Sequence, residues 1–287
     1  MRYDAAPAAM QPINSGYNNL IYSNLMEVME VKKIIALMVI FIITMSTVTA
    51  NAAANVAALM YHRVTRDESR VDEYTISPDM LDSDIAYFIS NGYITMTASE
   101  LAAADMSEID GRNILLLTFD DGYSNFYTEV FPILQKYNAK ATMYIVGSYI
   151  NRYGYLIADQ VHEMAHSGLV EIGNHTNAIH HTPRALLENI YNTPNSFFEI
   201  ILDIKNNGET LKNITSIDVT SLSWPYGYYT TELDREVKAQ TGYGITFSTE
   251  YGVNIFTGDT SLPLKRMNRD CYASTQEVFE RANNLFY

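Results

Sequence analysis

Two carboxylates and three histidines stand where apolar runs stop. Ile114–Thr118 runs into Phe119-Asp120-Asp121-Gly122-Tyr123, and Leu169–Ile172 into Gly173-Asn174-His175-Thr176, with His180 five residues past His175. Ala57–Met60 ends in Tyr61-His62, Leu222-Ser223 in Trp224-Pro225-Tyr226-Gly227, and Pro263-Leu264 in Lys265-Arg266. In parallel α/β folds chemistry is built at the carboxyl ends of strands. A carboxylate with two imidazoles supplies three protein ligands to a catalytic metal and leaves a position open for water. A second carboxylate then serves as base for that water. The Asp120-Asp121 pair offers both, although neighbours on a regular strand point to opposite faces and a turn at Gly122 is needed to bring them together. His175 and His180 cannot share a helix face as an i, i+4 pair does, so they suit a loop. His181 is expected to stand outside the ligand set. The pattern reads as a metal-dependent hydrolase.

The elements that must carry these residues follow from the same runs. From Val56 onward, apolar strand-like runs alternate with helical patterns. Strands are predicted at Val56–Tyr61, Tyr93–Met96, Ile114–Thr118, Ala141–Val146, Leu169–Ile172, Ser221–Ser223, Gly244–Phe247 and Lys265–Met267. A helix starts at Ser77-Pro78 and carries Leu81, Ile85, Phe88 and Ile89 on one face until Gly92. Others are predicted from Ser124 with a bend at Pro132, at Ala158–Ser167, around Phe197–Lys205 and at Glu232–Gln240. Asn206-Asn207-Gly208 and Gly252–Asp259 read as surface loops. The economical fold is one α/β domain, a distorted (β/α) barrel of about seven strands.

Composition narrows the function further. The 287 residues contain 33 Asp+Glu against 19 Lys+Arg, a formal net charge of -14. Nucleic acid is disfavoured as a partner, because phosphate contacts need Lys and Arg. A single cysteine, Cys271, excludes an intramolecular disulfide and a thiolate metal site. Near the front, Lys32-Lys33 precede the apolar stretch Ile34–Met45 and an Ala50-Asn51-Ala52 exit, the pattern of a secretory signal peptide. The expected organisation is an extension with signal peptide over residues 1–52 and a catalytic domain over 53–287. Met26 or Met29 would be a more ordinary start. Location is expected to be secreted, periplasmic or cell-surface, with membrane contact only where the apolar segment is retained.

As a set, Thr118-Phe119-Asp120-Asp121-Gly122-Tyr123, His175-Thr176-x-x-x-His180 and Trp224-Pro225-Tyr226-Gly227 resemble the first three motifs of the polysaccharide deacetylases, carbohydrate esterase family 4. Leu59-Met60-Tyr61-His62 and the four-residue gap between the histidines resemble the exported poly-β-1,6-N-acetylglucosamine deacetylase branch. The resemblance runs from about Ala57 to Arg269. It implies removal of N-acetyl groups from an amino-sugar polysaccharide. Asp121, His175 and His180 would hold a divalent metal, usually zinc, with cobalt or nickel accepted. Asp120 would be the base, the backbone N–H of Tyr226 would face the oxyanion, and Tyr123, Trp224 and Pro225 would lie on the substrate side. The late Leu-x-His motif that usually supplies the acid is missing, and His62 matches the histidine that takes this role in the biofilm-type branch. Ser223-Trp224 stands where many members carry an arginine that holds the base, and Arg266 is the candidate replacement. Trp224 is equally placed to be a sugar-stacking wall or a core residue, and is read here as the wall.

Other readings remain at this point. His162-Glu163-Met164-Ala165-His166 matches the H-E-x-x-H pattern of zinc proteases, but Val161, Met164 and Ala165 form the apolar side of that helix and leave both histidines to solvent. An O-acetyl carbohydrate esterase and a non-catalytic glycan-binding protein are the further alternatives.

Overall fold

The structure is a computed structural model that describes residues 23, 25–38, 52–193 and 196–286. It separates into two units, 1–50 and 51–287. In the first, residues 25–38 are helical and exposed. Most of the expected signal sequence, from residue 39 through the Ala-x-Ala exit to residue 51, lies outside the described residues. No helix among the described residues is long and apolar enough to cross a membrane.

The second unit is built on a curled, mostly parallel sheet. Its strands are β1 (Ala54–Tyr61), β4 (Tyr93–Thr95), β5 (Asn113–Phe119), β6 (Ala141–Ile145), β7 (Val170–Asn174), β8 (Ser221–Ser223), β9 (Ile245–Phe247), β10 (Asn254–Phe256) and β11 (Met267–Asn268), while β2 (Arg63–Val64) and β3 (Thr75–Ile76) form a separate small sheet. The main order is β10-β1-β5-β6-β7-β8-β9. Two edges are shared. β4 pairs with the first half of β5 and β6 with the second half of the same edge. β10 runs antiparallel to the start of β1, and β11 parallel to its end. A parallel bridge from Phe247 to Leu264 then leads the chain from β9 back toward β1. The expected seven-stranded parallel α/β barrel is present as a curled half-barrel with extra edge pairs.

Side-chain alternation sorts the strands into two faces. Leu115, Leu117 and Phe119 of β5, with Ala57, Leu59 and Tyr61 of β1, pack outward on Leu81, Ile85, Phe88 and their neighbours. Ile114 and Leu116, with Val56 and Ala58, face the inside of the curl beside Tyr144, Ile245 and Phe247. The inner file of β5 therefore continues to Thr118 and Asp120, and that of β1 to Met60 and His62. Inner polar residues are found at the carboxyl end because the apolar ones fill the rest.

The helices depart from expectation in informative places. Ser77 caps the helix Pro78–Ser90 through its side chain, with Pro at the first turn. A π-helical turn, Phe126–Val130, precedes the helix Phe131–Tyr137, so the irregularity expected at Pro132 falls just before it. Asn206-Asn207-Gly208 is not a loop: it lies inside the 19-residue helix Phe197–Thr215, and Asn207 is fully buried. Gly252–Asp259 is not all loop either, since it contains β10. The last strand is Met267–Asn268, with Arg266 just ahead of it. Four α-helices were not expected, Ala98–Ala103, Met106–Ile109, Arg184–Tyr191 and Thr275–Asn284.

Candidate active site

Asp120 ends the inner file of β5 and is 2% exposed. Arg266, itself 1% exposed, meets it end on: Nη1 donates to Oδ1 at 2.8 Å and Nη2 to Oδ2 at 2.8 Å. This is the bidentate fork that favours Arg over Lys. Ser223 at the end of β8 completes the group, with its Oγ 3.2 Å from Asp120 Oδ2 and 2.9 Å from Arg266 Nη2. Burial alone would push the Asp120 carboxyl up, but the Arg266 guanidinium holds it well below the usual carboxylate range. Asp120 is an ionised acceptor at neutral pH.

Asp121 breaks the alternation. Its φ is +78°, in the left-handed region, and Gly122 follows at +83°. Asp tolerates this conformation better than most residues, and the turn swings its carboxylate toward the histidines instead of the outer face. Asp121 Oδ1 lies 3.6 Å from His175 Nε2 and 3.3 Å from His180 Nε2. Burial raises its pKa, and the His180 contact and the nearby imidazoles outweigh that and lower it.

His175 directly follows β7 and is 3% exposed. Its Nδ1 donates to the Ser223 carbonyl at 2.7 Å. A carbonyl only accepts, so Nδ1 carries the hydrogen and Nε2 presents a lone pair toward Asp121. Burial pushes this imidazole down to about 4, so it is neutral at pH 7. His180 sits in a short 3-10 turn, Ile179–His181, with Tyr149 Oη 3.4 Å from its Nδ1.

These facts test whether a metal suits the place. One donor atom from each of Asp121, His175 and His180 lies within 4.8 Å of the others. A tetrahedral ion with bonds of about 2.1 Å has ligand atoms about 3.4 Å apart, close to the two Asp–His distances above. A lone pair facing a carboxylate across 3.6 Å is two acceptors without a proton between them, which a cation resolves. The donor set fits a divalent ion.

All of this opens into one cleft of about 710 Å³, which also takes in His62, Arg63, Tyr74, Tyr123, Tyr155, Arg184 and Tyr226. His62 packs edge-on against Tyr74, and its buried Nδ1 has no hydrogen-bond partner among the described residues. Tyr123 stacks on Tyr155 under the Arg63 guanidinium. Tyr226 adopts φ +55° inside the turn Pro225–Gly227, and its ring stacks on His180. Gly227 N–H and Tyr228 N–H close that turn on the carbonyls of Trp224 and Pro225. Tyr226 N–H stands in the first turn of this segment, at the cleft.

Two expected substrate contacts fail. Trp224 is not a wall: it is fully buried among Leu187, Tyr191 and Leu233, with Nε1 donating to Asp234 at 2.8 Å. Alternation at the end of β8 sends Ser223 inward and Trp224 out to the helices. Pro225 is also buried and does not line the cleft. The H-E-x-x-H helix behaves as its apolar side implies. His162 and His166 are exposed, and each spends its Nδ1 on a backbone carbonyl, of Ile214 and of His162. Glu163 binds Tyr127. Ser223, Tyr155, Arg184 and Asn207 were missed by sequence reasoning, and only the helical run around Phe197–Lys205 carried a usable signal for one of them.

Comparison with known proteins bears on the family. The polysaccharide deacetylase family profile matches residues 108–246. The chain carries a polysaccharide deacetylase domain. The profile spans both aspartates, both histidines and the Trp224–Gly227 turn, and leaves His62 and Arg266 outside. The Bacillus subtilis (strain 168) protein YxkH, whose name assigns it provisionally to the polysaccharide deacetylases, is 29% identical over 210 residues, 73% of this chain and 70% of that protein. The poly-β-1,6-N-acetyl-D-glucosamine N-deacetylase of Escherichia coli (strain K12) is 27% identical over 232 residues, 68% of this chain but 34% of that enzyme. The chain thus spans about a third of the length of the E. coli protein. In fold it resembles the solved structure of IcaB from Ammonifex degensii, with a TM-score of 0.70 at 24% identity over 80% of this chain and 97% of the other.

Proposed function

We propose that this deacetylase removes N-acetyl groups from an amino-sugar polysaccharide with the help of a divalent metal, zinc first and cobalt or nickel as substitutes. The observation that carries this reading is the pairing in one cleft of the convergent Asp121–His175–His180 donor set with the Arg266-clamped Asp120. When bound, the metal supplies Lewis acidity to the attacking water and the acetamide carbonyl. Asp120, kept ionised by Arg266, takes the proton of the attacking water. The Tyr226 N–H is offered to the oxygen that gains charge as the carbonyl carbon becomes tetrahedral. The C–N bond breaks only when the amine is protonated, and His62 is the cleft residue suited to give that proton. Acetate and a glycan amine leave. Tyr123, stacked on Tyr155, supplies an aromatic side for the sugar in place of the buried Trp224.

The similarity to poly-β-1,6-N-acetylglucosamine deacetylases makes that polymer the first substrate to try. We further propose, from Lys32-Lys33 and the apolar run after it, that the domain works outside the cytoplasm. The test is acetate release by the purified protein from a panel of N-acetylated glycans, with and without added zinc or cobalt. Metal-dependent release from a β-1,6-linked polymer is the expected result. Release from O-acetyl esters alone would replace this reading with an esterase.

A further inference from the structure

The loop that separates the two histidine ligands is held by a carboxylate outside the cleft. Asp203, on the helix Phe197–Thr215, accepts three consecutive backbone N–H groups: Asn177 at 2.6 Å on Oδ2, then Ala178 at 2.9 Å and Ile179 at 3.2 Å on Oδ1. Successive N–H groups curled around one anion form the nest that proteins use for external phosphates. Here the anion is internal, and the last of the three donors immediately precedes His180.

One turn further along the same helix face, Asn207 fastens the other end. Its Nδ2 donates to Ile145 O at 2.8 Å and to Asn174 Oδ1 at 2.9 Å, next to His175. Asn174 Oδ1 also accepts from Thr176 N at 2.8 Å, and Thr176 O accepts from Gly147 N. Thr176 has φ +64°, an uncommon conformation for a β-branched residue that persists only where neighbours fix it. The space is tight: a Cβ on Gly147 would come within 2.2 Å of Asn207 Oδ1.

We infer that Asp203 is a positioning residue that presets the 177–179 loop, and with it His180, for the metal before the ion arrives. The inference rests on the metal-site reading of Asp121, His175 and His180. Without Asp203 the loop must be ordered at the moment of binding, and that entropy cost falls on metal affinity. Asn cannot replace it, since one amide oxygen cannot take N–H groups that come to both carboxylate oxygens, and its NH₂ would face a donor.

The test is zinc affinity of the metal-stripped full chain, measured by competition with a chromophoric chelator, for wild type and Asp203→Asn. Loss of such an outer partner weakens metal binding by about 10–100-fold, and that loss is expected here while far-UV circular dichroism and the metal-free melting temperature hold. Affinity within about threefold of wild type overturns the inference. Wild type that binds no zinc would overturn the metal-site reading instead, so the two failures are distinct. Should Asp203→Asn not fold, hydrogen exchange of metal-free wild type decides. The amides of residues 177–179 are expected to be protected before zinc is added, and protection that comes only with zinc overturns the inference.

Discussion

Replacing Arg266 by Ala removes the counter-charge from a carboxylate that is 2% exposed and reaches water only at the floor of the cleft. Five contacts go with it: the two to Asp120 at 2.8 Å, one to Ser223 Oγ at 2.9 Å, one to Ser248 O at 2.9 Å and one to Thr118 Oγ1 at 3.3 Å. The side chains of the pair are 0% and 3% exposed, so little solvent screening softens the loss. Breaking a buried ion pair from one side costs about 3–5 kcal/mol. For a unit of this size each kcal/mol moves the melting temperature by about 2–4 °C, which gives a fall of roughly 6–20 °C at pH 8.

The pH dependence separates this cause from mere loss of packing. In the wild type the folded pKa of Asp120 is depressed, so its contribution is present above the unfolded value of about 3.9 and is lost as pH falls through the lower folded value. In Arg266→Ala the remaining burial raises the folded pKa instead. The penalty then grows as pH rises from the unfolded value of about 3.9 to that raised value and levels off above it, so the gap between variant and wild type is larger at pH 8 than at pH 5. Adding Asp120→Asn to Arg266→Ala removes the stranded charge and is expected to restore at least half of the lost melting temperature at pH 8. Thermal melts of the three proteins at both pH values check this. A fall below about 3 °C that is the same at both pH values would refute the reasoning, because Asp120 would then not depend on Arg266.

Three further outcomes follow from the site. Asp121→Asn is expected to lose zinc and acetate release together, read by metal analysis of the purified protein beside the activity assay; full metal occupancy would remove Asp121 from the ligand set. His62→Ala is expected to keep its metal and lose amide turnover by about 10²–10⁴-fold, with a smaller loss on an O-acetyl ester, whose leaving group needs the proton less; equal losses on both would deny it the acid role. Trp224→Ala is expected to destabilise by about 3–5 kcal/mol, as large-to-small changes in a core do, without a selective rise in KM; a raised KM with an unchanged melting temperature would return Trp224 to the substrate wall.

Strand positions and the metal-site motifs were legible because they are local. Apolar runs that stop at polar residues mark strand ends, and strand ends in a parallel sheet share one rim. Contacts made across the fold were less so. Arg266 was a candidate only because the usual arginine is missing, and nothing local shows that it reaches Asp120, 146 residues earlier. Asn206-Asn207-Gly208 has turn composition, yet it sits in a helix, because tertiary burial overrides propensity. Ile200, Ile204 and Leu211 are buried on that helix, and their helical spacing runs straight through the apparent loop. The closing helix Thr275–Asn284 also had a local signal that went unread: Ser274 and Glu277 form a capping box.

The two adjacent aspartates show where motif ends and geometry begins. The dipeptide Asp120-Asp121 contains nothing that says which residue meets Arg266 and which meets the imidazoles. Asp120 obeys the alternation of β5, so it falls on the inner file and meets Arg266 and Ser223, groups that donate and do not coordinate. Asp121 departs from it at φ +78°, so it turns to two imidazole nitrogens, of which His175 Nε2 presents a lone pair because its Nδ1 hydrogen is given to the Ser223 carbonyl. Ser223 therefore serves both halves, holding Asp120 through its hydroxyl and His175 through its carbonyl. One residue at the end of β8 thus couples the ionised acceptor to the donor set, and a register slip of a single residue in β8 would put Trp224 in its place and lose the hydroxyl that meets Asp120.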